Sequence, residues 1–207
     1  MRRVLPVVGA LAESRALVSV DTVKPAVATA ALAAGAHIVN DVRGLQGDPG
    51  MAEAAAAHRA GVVVMHNPGF LGGTKGTEGD PVAACLRFFA RSLDIAARAG
   101  IAEDRIALDP GLGFGKTVEQ NFALVARLAE LGALGLPLLV GASRKSFLRR
   151  HTGREVQDSL AGTLALHMAA ALHGAAILRV HDVAEHVDGV KVAAALRRQA
   201  LARGARP

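Results

Sequence analysis

Short runs of aliphatic and β-branched residues punctuate this chain at Leu17–Val20, His37–Val39, Val62–Met65, Ile106–Leu108, Leu138–Val140 and Ile177–Val180. The runs are continuous, not alternating, which predicts strands covered on both faces. Between them lie longer Ala- and Leu-rich stretches with helical spacing, and the chain opens on one of these, a helix over Arg2–Leu11. Asp48-Pro49 and Asp80-Pro81 read as a cap followed by proline at the first helical position. Thr117 with Gln120 fits a capping box. Regular alternation of strand and helix predicts a parallel α/β sheet.

The polar positions are as regular as the apolar ones. The six runs lead, in order, into Asp21, Asn40-Asp41, His66-Asn67, Asp109, Ser143-Arg144-Lys145-Ser146 beyond Gly141, and Arg179 with His181-Asp182. Helix capping explains any one of these, Asp41 or Asp182 for example. It does not explain polar groups after every strand. In a parallel barrel the C-terminal strand ends converge on one face, where active sites sit. No glycine fingerprint of a dinucleotide fold follows the first strand, so a barrel is favoured over an open doubly wound sheet. A (β/α)8 barrel has eight strands and about 250 residues. The expectation is therefore a TIM-barrel-type chain cut to about six β-α units, with the first two strands missing. It forms a single domain over residues 1–207, incomplete at its N-terminus, with 197–207 as a basic tail.

Composition narrows the function classes. Hydrophobic residues make up 51%, which excludes a disordered chain. Aromatics reach only 3%, so Ala, Val and Leu must fill the core. A single cysteine, Cys85, excludes an internal disulfide framework and reads as packing. No apolar run approaches the ~18 residues of a membrane span, and the opening stretch reads as an amphipathic helix, so a cytoplasmic protein is expected. The net charge of +6 comes from scattered basic residues without interleaved aromatics. That speaks for a solvated surface or an anionic small substrate and against nucleic acid or membrane.

"LDPGLGFGKT" at residues 108–117 ends like a phosphate-binding P-loop. The required first glycine would fall at Pro110, which lacks the backbone N–H of a phosphate cradle. Asp109 has no job in a P-loop, so the stretch calls for another explanation, and Lys116 and Thr117 read as helix entry. His37 falls on the wrong face for chemistry. His58, His151, His167, His173 and His186 show no metal-ligand spacing, and His66 reads as near the site without being a ligand.

The strings "SVDTVKPAVATAALAAGAHIVNDVRG", "VVVMHN", "LDPGLGFGKT", "LLVGASRKSF" and "LRVHDV" follow one another, one per strand end. Together they resemble the dihydropteroate synthase family of pterin-binding barrels, from about Arg3 to about Ala195. "SRKSF" followed by "RVHDV" points to the synthases and away from the methyltetrahydrofolate-type methyltransferases, which stand as an alternative. The resemblance implies a transferase of folate biosynthesis that joins a dihydropterin methyl diphosphate to 4-aminobenzoate. It implies Asp21, Lys145 and Arg179 in catalysis. It assigns Asp109, Asn40 and Lys145 to the pterin edge, Met65 and Phe114 to its faces, and Gly141 to the space beside it. Arg179 and His181 fall at the family's anion site, Ser146 at the aminobenzoate carboxylate, and Arg144 in support. Mg2+ is implied as a cofactor bound with diphosphate, and a homodimer as the assembly.

Two family loops, with "TPDSFSDGG"-like and "ESTRPG"-like signatures, do not occur in this sequence. The first carries the asparagine of the family's magnesium site, so no metal ligand is assigned here. The expectation is a chain begun at an internal Met1, with little or no synthase activity by itself. The alternative in that case is a pterin-binding fragment without catalysis.

Overall fold

The computed structural model of the chain describes residues 1–71 and 79–202. Its elements follow in the order α1 (Leu5–Ala12), β1 (Ser19–Asp21), α2 (Pro25–Ala33), β2 (Ile38–Asp41), α3 (Pro49–Ala57), β3 (Gly61–Met65), α4 (Pro81–Ala99), β4 (Ile106–Asp109), α5 (Val118–Ala126), α6 (Leu128–Leu131), β5 (Leu138–Val140), α7 (Ser146–Thr152), α8 (Leu160–Leu172), β6 (Ala175–Leu178) and α9 (Val183–Ala202). The six strands form one parallel sheet in the order β1-β2-β3-β4-β5-β6. This is the strand-by-strand winding of a (β/α)8-type barrel, here an arc of six units.

Local chemistry explains the helix starts. Pro25, Pro49 and Pro81 occupy first helical positions. The Asp48 side chain accepts from the Gly50 amide at 3.0 Å, and that of Asp80 from the Val82 amide at 3.2 Å. Each takes up one of the amides that a helix start leaves unpaired. Thr117 and Gln120 exchange side-chain and backbone bonds as a capping box. The core is built from small and aliphatic residues, including Ala28, Ala31, Ala55, Val39, Val64, Leu108, Leu124 and Val140. Small side chains let helices lie close on the sheet and substitute for the missing aromatics.

Three expectations need correction. The opening helix starts at Leu5, not Arg2, because Met1–Val4 form a turn ahead of it. The last strand runs over Ala175–Leu178, earlier than Ile177–Val180, because Gly174 ends α8 at a φ of +105° and Ala175 pairs with Leu138. Pairing here outweighs the weak strand preference of alanine. The strands are also not all covered on both faces. β3, β4 and β5 are nearly buried throughout, whereas β1 and β6, at the two ends of the arc, are not.

The basic tail is helical as far as α9 reaches, while Arg203 and Arg206 lie outside the described residues. Among the described residues no helix is long and apolar enough to cross a membrane.

Candidate active site

Register alone brings the polar strand ends level. Asp21 lies opposite Asn40, and Met65 opposite Asp109. At the β1–β2 corner Asn40 donates to Asp21 at 3.0 Å. Asp41 points elsewhere: its carboxylate accepts from the Arg43 and Leu45 amides at 2.9 and 2.8 Å. It closes the turn after β2 and does not cap the next helix, a role that falls to Asp48.

Asp109 ends β4 with only 5% of its surface exposed. Its Oδ1 accepts from the Gly111 amide at 2.7 Å. Burial pushes its pKa upward, against the pull of Lys145, the Gly111 amide, Lys116 and Arg179. Lys145, Lys116 and Arg179 thus supply three positive charges around one buried carboxylate. The loop that follows is folded hard against β3. Gly111 has φ +66°, and a Cβ there would lie 2.1 Å from the His66 carbonyl oxygen. No side chain fits at that position.

Lys116 holds this fold in place. Its Nζ donates to the carbonyls of His66, Gly111 and Phe114 at 3.1, 2.9 and 3.1 Å. An ammonium has three donors, and all three are spent on backbone. Burial lowers its pKa to about 8. Its reading as mere helix entry is therefore corrected: Thr117 caps α5, but Lys116 is a buried strut joining the ends of β3 and β4. Asn121 was not read from the sequence either. Its side chain accepts from the Gly113 amide and donates to the Thr117 carbonyl, both at 2.6 Å. A polar residue on the inner face of a short helix after a Gly-rich loop was the available signal for it.

Lys145 contrasts with Lys116. Its Nζ bonds the Leu112 carbonyl at 2.5 Å and stands 4.7 Å from the centre of the Phe114 ring. Of the two groups that act on it electrostatically, Asp109 attracts the ammonium and Arg179 repels it. Burial lowers its pKa to about 8 as well. Gly141 packs against Arg179, whose Cβ would be 3.3 Å from an added methyl group. The bare α-carbon makes room for the arginine. Arg179 in turn shares a cavity of about 470 Å³ with Asp21, Asn40, Val63, Leu139 and Ile177. Residues of both end strands line it, which shows how far the sheet curls.

His181 is held by Ser143, with Nδ1 and Oγ 2.8 Å apart. Arg144 pairs with Asp182 at 3.2 Å and has a left-handed φ of +60°. Ser146 is exposed at the first position of α7. Met65 is buried beside Gly111. The His66 ring turns away from the strand ends, 3.1 Å from the Cys85 sulfur and edge-on to Phe88. Burial, reinforced by Lys116, lowers the His66 pKa to about 3. Burial likewise raises the Cys85 thiol to about 12, so neither group carries charge at neutral pH. His37, His58, His151 and His173 are exposed. Among the described residues no three His, Cys, Asp or Glu side chains gather as metal ligands, so they do not fit a resident metal ion.

The sequence pattern of the family described as pterin binding enzyme matches residues 1–181. The chain is similar to the dihydropteroate synthase of Escherichia coli K12, at 42% identity over 196 residues, covering 93% of this chain and 69% of that protein. Among solved structures it is similar to the Yersinia pestis dihydropteroate synthase, at 42% identity and a TM-score of 0.89, covering 95% of this chain and 79% of the other. It is also similar to the Xanthomonas albilineans dihydropteroate synthase with 4-aminobenzoic acid, at 44% identity and a TM-score of 0.89, covering 95% and 71%.

Proposed function

The chain belongs to the pterin-binding enzymes, among the dihydropteroate synthases, and from that premise we propose how its strand ends act on substrate. The chain condenses 6-hydroxymethyl-7,8-dihydropterin diphosphate with 4-aminobenzoate, giving 7,8-dihydropteroate and diphosphate. The observation that carries this reading is the buried carboxylate of Asp109, set among Lys145, Lys116 and Arg179.

A pterin presents a flat edge of donors and acceptors. Asp109 accepts from its amino and ring N–H groups, and Asn40 and Lys145 complete the edge. Phe114 and Met65 line the faces of the ring. The reaction breaks the bond between the methylene carbon and the diphosphate oxygen. It forms a carbon–nitrogen bond to the amine of aminobenzoate, which gives up one proton. Charge builds up on the departing diphosphate, where Arg179 and His181 stand to neutralise it. Asp21 faces the positive charge that develops on the methylene. Ser146 and the start of α7 receive the aminobenzoate carboxylate. Mg2+ bound together with the diphosphate would add positive charge beside the leaving group. No step here is routed through it.

A second reading, pterin binding without turnover, is favoured by the exposure of Asp21 and Arg179 to solvent, since water would quench the developing cation. One assay separates the two: diphosphate release from the dihydropterin substrate with and without 4-aminobenzoate. Release that depends on aminobenzoate supports the synthase. Calorimetric binding of a pterin without release supports the second reading, and no binding heat at all overturns both. A single domain, a cytoplasmic location and a homodimer belong to the same proposal. An apolar groove of about 420 Å³ between α5, α7 and α8, lined by Phe122, Val125, Leu148, Leu166 and Ala169, supports association.

A further inference from the structure

Two buried histidines take no part in the site as described, yet they connect its two halves. His167, on α8, is fully buried, and His186, on α9, nearly so. The Ala142 amide donates to His167 Nε2 at 2.9 Å. His167 Nδ1 lies 2.9 Å from His186 Nε2. His186 Nδ1 lies 2.6 Å from the Asp182 carbonyl oxygen. The backbone amide at one end can only donate, and the carbonyl at the other can only accept. One proton arrangement satisfies all three contacts: both rings neutral, each with its proton on Nδ1. A second proton on either ring would set one N–H against another.

The relay begins next to Gly141 and ends next to His181. It therefore spans the loop after β5, which carries Lys145 and leads into Ser146 of α7, and the loop after β6, which carries Arg179 and His181. Two more bridges join the same loops, Ser143 to His181 and Arg144 to Asp182. Ser143 is buried but its partner His181 is exposed, and Arg144–Asp182 is of the surface kind that contributes little. The buried relay is the strong member of the set.

We infer that His167 and His186 are positioning residues that tie the β5 loop to the β6 loop, so that Lys145 and Arg179 face one ligand. The inference rests on the synthase reading of those loops. The charged and titratable groups around the pair are Lys145 and Arg144 from the β5 loop, Asp182 and His181 from the β6 loop, and Lys191 on α9, which lines a cavity with His186. Burial, then His186 and Lys145, hold the His167 pKa down at about 4, consistent with a neutral ring in the relay.

The test uses the full chain labelled with 15N-histidine. Long-range ring spectra at pH 7 should place the proton on Nδ1 of both His167 and His186. A proton on Nε2 of His167, or a charged ring in the pair, overturns the tie. Two variants follow. His167→Leu fills the space without an acceptor, whereas His167→Gln keeps an acceptor for the Ala142 amide. The leucine variant should exchange the Ala142 amide proton at least tenfold faster and bind inorganic diphosphate at least tenfold more weakly. The glutamine variant should restore both to within about threefold. A folded His167→Leu chain with unchanged exchange and diphosphate affinity overturns the inference. Should that variant not fold, the ring spectra of the unaltered chain decide. An unaltered chain that ignores diphosphate removes the anion-site reading alone, and the exchange comparison still decides the tie.

Discussion

At the middle of the sheet, β3 and β4 keep Val62–Met65 and Leu108–Asp109 buried, and His66, Asp109 and Lys116 beside them each have a partner, although the buried Asn67 amide nitrogen has none. At its two ends the same kinds of residue lie open. Leu17, just before β1, is 75% exposed and Ile177 in β6 is 42% exposed, while Asp21 and Arg179 reach solvent. The strand sequences do not foretell this difference. It comes from position in the sheet: an inner strand has neighbours on both sides, and an end strand has one. The chemistry divides in the same way. Asp109, Lys116 and Lys145 are shifted by burial, whereas Asp21 and Arg179 stay exposed to solvent.

The comparison is tested hardest at Lys116. Lys116→Met strands three buried carbonyls and should cost about 4 kcal/mol of stability, read as a lower urea midpoint. A loss below about 1 kcal/mol would mean that water reaches the β3–β4 corner and that the middle is no more closed than the ends. Asp109→Asn comes next. The amide oxygen still accepts from Gly111, so the fold should hold. Pterin affinity should fall about a hundredfold, since bonds to a charged group contribute about 1.5–3 kcal/mol each; calorimetry reads this.

Acid offers a third test. The folded-state pKa values of His66 and His167 lie near 3 and 4, below the ordinary 6.5. The unfolded chain therefore takes up protons first. The stability they hold is complete above pH 6.5 and is lost as pH falls from there toward 4 for His167 and toward 3 for His66. By pH 5 the loss should be about 2 kcal/mol for each histidine, and His66→Gln should flatten the central share of it. The smallest effect belongs to the ends. Leu17→Ser should stay within about 0.5 kcal/mol by thermal unfolding, and a larger loss would show that an apolar surface covers that edge.

The sequence made the strands and the polar ends legible because both are local signals. Valine-rich runs and Asp-Pro, Thr-x-x-Gln starts settle within a few residues what the backbone does. The same local rules failed at Ala175, where pairing with Leu138 recruits alanines into a strand. Lys116 was misread because its partners are carbonyls of residues as distant as His66, and no residue-type pattern encodes a backbone acceptor. The His167–His186 contact was equally silent. It joins two helices separated by β6, and neither residue has ligand-like spacing. Cys85, by contrast, was read correctly as packing, because an apolar helical stripe predicts burial whatever the thiol touches.

Sequential strand order has a consequence for how the molecule is made. Each strand bonds to the one synthesised just before it, so a chain growing from the ribosome can add its layers in turn, closing only short loops at each step. Asp109 emerges well before Lys145, and α9, which brings His186, appears later still. A chain translated as far as α5 therefore already carries this carboxylate and Lys116, while Lys145 and Arg179, the other two cations that act on it, have yet to be made.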